Sequence, residues 1–167
     1  MDKKSIKIFI ISIIVITIID MGIFVYYTKE TDIFQESTGK YFYKINVTNE
    51  VTDKVYKWDI GISENEAMKS IVENDKNRDD LKGFREALGD MKYKKMKILY
   101  ALSYLGLTLI VLFLVRKNNK DYNTGFIRGV ALTNFFIVNY IILTDIINVL
   151  SLLNDVNAYY RMIKFIA

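Results

Sequence analysis

The sequence predicts an α-helical membrane protein with three transmembrane helices and a small α+β soluble insertion, a hairpin plus two helices, between the first and second. Three observations predict it. The 167 residues separate into apolar blocks and charged blocks instead of mixing the two finely. Three apolar blocks are each roughly 18–25 residues long, and at about 1.5 Å per residue such a helix covers the roughly 30 Å of a bilayer core. The polar segment between the first two blocks carries both the two-residue alternation of a strand and the three-and-four spacing of amphipathic helices.

Residues 1–7 are a basic tail, with Lys3, Lys4 and Lys7 ahead of the first span at 8–27. Only Ser12, Thr17, Asp20 and Gly22 interrupt that run. A cleaved signal peptide is the rival reading, but no small-x-small cleavage site follows Asp20, so the segment reads as an uncleaved anchor. The second span, 96–115, has Lys92, Lys94, Lys95 and Lys97 at its start and Arg116 and Lys117 after it. Long basic side chains at such flanks reach lipid headgroups. A short basic connection, 116–128, leads to the third span at 129–153. Residues 154–167 mix Tyr159, Tyr160, Arg161 and Lys164 with Met162, Ile163, Phe165 and Ile166, and read as an interfacial amphipathic tail. The runs are continuous and lack the alternation of a β-barrel, and the absence of Pro removes Pro kinks. Lys3, Lys4, Lys7, Arg116, Lys117, Lys120 and Arg128 share one side of the membrane. The positive-inside rule makes that side cytoplasmic and places residues 28–95 outside the cytoplasm of a multi-pass cell-membrane protein.

Within residues 28–95, Tyr41, Tyr43, Ile45 and Val47 alternate with Phe42, Lys44 and Asn46, and a second β-prone run follows at 51–58. Residues 48–50 are the expected turn of a hairpin. Asn46-Val47-Thr48 fits a glycosylation acceptor, but its place in the hairpin favours a plain strand reading. Ser63 and Glu66 have capping-box spacing ahead of Ala67, Met68, Ile71 and Val72, which predicts a helix. A second helix is expected from Asp79, with Leu81, Phe84, Leu88 and Met91 on one face and no strong breaker before the second span.

Composition narrows the chemistry. The chain has no Cys and no His, which removes thiolate chemistry, the commonest general base and the commonest transition-metal ligand. No Gly-rich phosphate loop occurs, and Ser12, Ser103 and Ser151 have no neighbouring base. The net charge of +4 comes with no basic stripe interleaved with aromatics, so lipid headgroups are the expected anionic contact and nucleic acid is not. The chain is therefore expected not to be an enzyme and to carry no resident cofactor.

Two sets of residues stand out. Asp75, Asn77, Asp79 and Glu86 fall at positions one, three, five and twelve of a 12-residue stretch that resembles an EF-hand calcium loop, a spacing that aims oxygens inward. Asp80 stands where that loop has its turning Gly, and Lys82 where it has an apolar anchor. The competing and favoured reading is a helix start, with Asn77 as cap and Asp79 and Asp80 complementing the dipole. The second set is intramembrane. Asp20 and Asp145 are the acids inside spans, and both come about 10–12 Å from the same membrane face by helical rise. A carboxylate at mid-bilayer costs about 2.5–3.5 kcal/mol, so it needs protein, water or a partner. Asn134, Asp145 and Asn148 lie within about 60° of one another on a helical wheel. Two intramembrane acids also resemble those of membrane aspartyl peptidases, but no further motif surrounds either one.

These features lead to an accessory, regulatory or immunity-like interaction protein, docking another membrane protein or a second copy of itself through the polar third span and the soluble segment. The alternative is an ion- or proton-conducting component using Asp20 and Asp145.

Overall fold

The computed structural model describes residues 3–28, 34–49, 54–62, 66–117 and 124–166. The elements in chain order are helix α1 (Lys3–Thr28), strands β1 (Gln35–Thr38), β2 (Tyr41–Asn49), β3 (Lys54–Gly61) and β4 (Met68–Val72), and helices α2 (Arg78–Lys117) and α3 (Thr124–Ile166). All three helices are long and apolar enough to cross a membrane. The chain divides into two compact units, Met1–Tyr26 with Lys95–Ile146 and Tyr27–Lys94 with Ile147–Ala167.

The second unit holds a four-stranded antiparallel sheet in the order β1-β2-β3-β4. The alternation read from the sequence puts Tyr41, Tyr43 and Ile45 on the buried face, beside Trp58 and Ile60 of β3 and Ile71 of β4. Helix α2 adds Leu81, Phe84, Ala87, Leu88 and Met91 to that core, and α3 adds Val156, Tyr160 and Ile163. Each fully buried side chain of this size is worth about 1.5–3 kcal/mol of transfer free energy. Polar tips in the core find partners. The Tyr41 hydroxyl donates to Asn157 Oδ1, and Trp58 Nε1 donates to Glu73 Oε2 at 3.0 Å. The Tyr160 hydroxyl donates to the Glu66 carbonyl at 3.3 Å. Burial, then the charge of Glu66, then Tyr41 push the Tyr160 phenol above its usual pKa.

The expected hairpin is β2–β3, and it pairs as far as Asn49 with Lys54. Thr48, expected in the turn, is instead in the ladder opposite Val55, and residues 50–53 lie outside those described. A second hairpin, β1–β2, closes through Gly39 and Lys40 with Thr38 opposite Tyr41. Gly39 has φ 66°, and positive φ at the first of two turn residues matches the twist of the strands.

Two sequence expectations are overturned. Residues 67–72, expected as a helix, form β4, while Ser63 lies outside the described residues. Apolar residues at 67, 68, 71 and 72 cover less than two helical turns, and pairing with β3 satisfies an otherwise open edge while burying Ile71 opposite Trp58. The tail at 154–167 is not a separate interfacial helix. It continues α3: Val156, Tyr160 and Ile163 lie in the sheet's core, while Met162, Phe165 and Ile166 are exposed. By contrast α2 runs unbroken from Arg78 to Lys117, as the lack of a breaker implied.

β4 carries an irregularity. Trp58 faces Ile71 and Ile60 faces Met68, so two residues of β4 oppose one of β3. Ser70 sits in this bulge at φ 59°, and its N–H donates to Asp59 Oδ1 at 2.8 Å. A left-handed conformation costs a non-Gly residue about 1–2 kcal/mol. Ser70→Gly is expected to raise stability by about 1 kcal/mol, read as a higher urea midpoint. Trp58, the sole tryptophan, reports on this domain by fluorescence.

In the first unit, Ala131, Val138, Ile142 and Asp145 are the buried residues of α3, at the spacing of one helical face, and Thr108 and Leu114 are buried on α2. Helix α1 is covered least. Its Ser12, Ile16, Asp20 and Ile23 are half-buried, at spacings of four and three, and the apolar residues around them are exposed.

Candidate functional site

The inward stripe of α3 carries Asp145 into the first unit. Val138 and Ile142 lie seven and three residues before it, so the same turn geometry that buries them buries the carboxylate. Asp145 is 3% exposed. Lys97 of α2 supplies a counter-charge, with Nζ 3.3 Å from Asp145 Oδ2. Lys97, one of the basic residues at the start of the second span, has a side chain 39% exposed and lends its ammonium to this pair. At this separation attraction offsets part of the cost of holding a carboxylate away from water. Lys97→Met removes one compensating charge and is expected to lower the stability of the first unit by about 2 kcal/mol, the half-open lysine tempering the effect. Adding Asp145→Asn should recover most of that loss, measured as thermal unfolding in detergent.

The other polar groups of the long helices mostly turn back on their own backbone. Thr17 donates to the Ile13 carbonyl at 2.9 Å, Thr108 to Tyr104 at 3.1 Å and Thr144 to Tyr140 at 2.9 Å. The Asn139 amide donates to the Phe135 carbonyl at 2.7 Å. Such i−4 bonds let a hydroxyl or amide sit in an apolar setting without an external partner. Asn134 and Asn148 are half-buried. Two shielded carboxylate atoms make no hydrogen bond among the described residues, Asp20 Oδ1 and Asp145 Oδ2, and the second has its ion pair with Lys97.

The basic residues assigned to the membrane flanks separate into groups. Lys7 is exposed, and Lys94 and Lys95 are half-buried. The side chains of Lys3, Lys4, Arg116 and Lys117 lie outside those described. Lys92 departs most from expectation. It is buried in the second unit, with Nζ 3.2 Å from Glu36 Oε1 of β1 and side-chain exposures of 8% and 9%. Its spacing of four from Leu88 was the available signal, since that places it on the core face of α2. Glu36, in a polar four-residue strand, gave no such signal.

The calcium-like stretch does not fold as a loop. Asp75 is exposed and pairs with Arg78 at 3.2 Å. From Arg78 onward the chain is helical, and Glu86 approaches Lys82 at 3.8 Å on the surface of α2. Asp79 and Glu86 are seven residues apart on that helix, about 10 Å along its axis, so they cannot converge with Asp75 on one cation. Among the described residues no three acidic side chains gather as a metal site.

Asn77 is buried and begins the helix, but the capping chemistry belongs to Asn74. Asn74 Oδ1 accepts from the N–H of Lys76 at 2.9 Å and of Asn77 at 3.2 Å. Asn77 Oδ1 accepts in return from the Asn74 N–H at 2.8 Å, and its amide donates to the Val72 carbonyl at 2.9 Å. This reciprocal pair is a capping box with Asn in the place of Glu or Gln, and it ties the end of β4 to the start of α2. Asn74→Ala is expected to cost about 1 kcal/mol in the same urea titration.

Comparison of the chain with protein-family models, with curated proteins and with solved structures finds no match.

Proposed function

We propose that this chain is a multi-pass membrane protein of the accessory, regulatory or immunity-like kind, which meets its partner chiefly through the sheet domain. Two arguments support the membrane placement. The outward apolar faces of α1 and α3, among them Ile11, Ile18, Phe136, Tyr140 and Ile147, are far more extensive than water-soluble chains expose. Residues before and after the most apolar stretches of α2 and α3, from the strands and from 156–163, share one core and so lie on one side of any membrane. The stretch between them then crosses an even number of times, which agrees with one crossing each by α2 and α3.

The observation that supports the interaction reading is that the charge of Asp145 is met by a cation of its own chain. Asp145 has Lys97, and the hydroxyls have carbonyls of their own helices. A third span whose charge is met within the chain also has less need of an external cation, so docking shifts toward the domain. The shielded Asp20 carboxylate favours the alternative, a proton- or ion-conducting component.

The absence of Cys makes the test direct. Single-cysteine variants at Asn46 and Asn119 should label with an impermeant maleimide from outside and only after permeabilisation, respectively. Reconstituted protein should show no proton or cation flux above empty liposomes. Flux that disappears with Asp20→Asn or Asp145→Asn would replace interaction with transport, and full extraction by carbonate would remove the membrane placement.

A further inference from the structure

The helices cross the strands of the sheet domain, and both give the strands the same order. Along α2, Lys92 meets Glu36 of β1, Phe84 meets Tyr41 of β2, and the Asn77 amide donates to the Val72 carbonyl of β4. Along α3, Asn157 accepts from Tyr41 of β2, and Tyr160 donates to the Glu66 carbonyl just ahead of β4. Helix α2 leaves the second unit at Lys94 and α3 enters it at Ile147, each as one unbroken helix. The side of the domain where both helices run on into their most apolar stretches is therefore the side that carries β1. β4 is the strand farthest from it, and Asn77 stands about 22 Å farther along α2 than Lys92, at about 1.5 Å per residue.

β1 is an edge strand, with β2 as its neighbour in the sheet. Lys92, its contact on α2, comes about 9 Å before Ile98, where the uncharged run of that helix begins. A headgroup layer is roughly 5–8 Å deep, so β1 and the turn of α2 beside it come level with the outer headgroups. Two aromatic rings are open at that level. Phe34, whose carbonyl accepts from the Ile45 N–H, leads into β1 and is 45% exposed. Tyr93 follows Lys92 on α2 and is 55% exposed. The strand between them offers no net charge, since Gln35 and Ser37 are uncharged and Glu36 is met by Lys92. A neutral edge flanked by open rings suits the headgroup layer, where rings with an apolar body and a wet rim concentrate.

We propose that the sheet domain stands on the bilayer by its β1 edge, with Phe34 and Tyr93 set among the headgroups of the membrane that α2 and α3 enter. The inference rests on the membrane placement and names the surface that meets lipid. It also gives the short outer strand a cover, because an edge laid against headgroups is not open to pairing with a strand of another chain. β4, on the far side, has its Val72 carbonyl occupied by the Asn77 amide instead.

The test uses the full chain in phosphatidylcholine nanodiscs, with the environment-sensitive dye NBD on single cysteines. Zwitterionic lipid keeps the nearby lysines from drawing the domain down by charge alone. Phe34→Cys, Ser37→Cys and Tyr93→Cys report on the edge, and Lys76→Cys, exposed at the far end of the domain, is the reference. Ser37→Cys leaves both rings in place, so the test survives if Phe34→Cys disturbs the fold, which Trp58 fluorescence checks. Lipid carrying a nitroxide on its headgroup should quench the dye at 34, 37 and 93 several-fold more than at 76. Aqueous iodide should show the reverse order. Equal lipid quenching at 37 and 76 would overturn the proposal. So would labels at 34 and 93 shielded from lipid and iodide alike, which would assign the edge to a second copy of the chain. Failure of lipid quenching in a chain that resists carbonate extraction removes this seating alone, whereas extraction by carbonate removes the membrane placement beneath it.

Discussion

Lys92→Met is expected to destabilise the sheet domain by about 3–5 kcal/mol, because it leaves the carboxylate of Glu36 buried without a counter-charge. The lysine and the glutamate are each more than nine-tenths buried, and their charged atoms are 3.2 Å apart. The methionine keeps most of the packing volume of the lysine stem, so the loss measures charge rather than a cavity. Glu36 belongs to β1, which pairs with β2 alone, so the strand has little else to hold it against α2. Replacing both residues, Lys92→Met with Glu36→Leu, should return stability to near its starting value, since a buried pair exchanged for apolar groups is often neutral or better. Urea unfolding followed by Trp58 fluorescence reads both variants. A single variant within about 1 kcal/mol of the parent, the scale of an exposed ion pair, would show that the pair is open to water in solution.

Phe84→Ala is expected to cost a similar amount, about 3–5 kcal/mol, by a different route. Phe84 is fully buried on α2 and meets Tyr41 of β2 edge-on with ring centroids 6.4 Å apart. Tyr41 in turn meets Tyr160 of α3 at 6.2 Å, so the ring lies where the sheet and both helices come together. Removing it forfeits transfer free energy and leaves a void that backbone on three sides cannot close. Phe84→Leu should lose much less, about 1.5 kcal/mol, because volume is largely kept. The pair of variants separates a rigid core from a loose one: if alanine costs no more than leucine, the site collapses and the three-way junction is soft.

What could be read from residues alone follows a physical divide. Long apolar runs, the β2 alternation and the unbroken pattern into α2 were legible, because each depends on neighbours within a few positions of one another. β4 was not, since the spacing of Met68 and Ile71 suits a helix until β3 offers a ladder to join. Nor was β1, polar and only four residues long, although Gly39-Lys40 marked its turn. Among the site residues, Asp145 is legible from sequence as a charge inside an apolar run, whereas the proximity of Lys97 to it is not. A lysine at a helix end can face headgroups or an acid on a neighbouring helix, and only tertiary proximity decides. The same ambiguity hid Lys92. Residue type alone points to Asn77 as the cap, while the reciprocal bonds with Asn74 depend on the turn that brings the two together.

The contribution of α3 to the sheet's core has a consequence for biosynthesis. Strands encoded near residues 35–72 cannot bury Tyr41 fully until Val156, Tyr160 and Ile163 have been translated. The nascent sheet must therefore wait, its aromatic face uncovered, while two further greasy segments are threaded into place. A stop codon at position 150 would then leave uncovered a sheet whose last strand ends at Val72, far upstream of the truncated end.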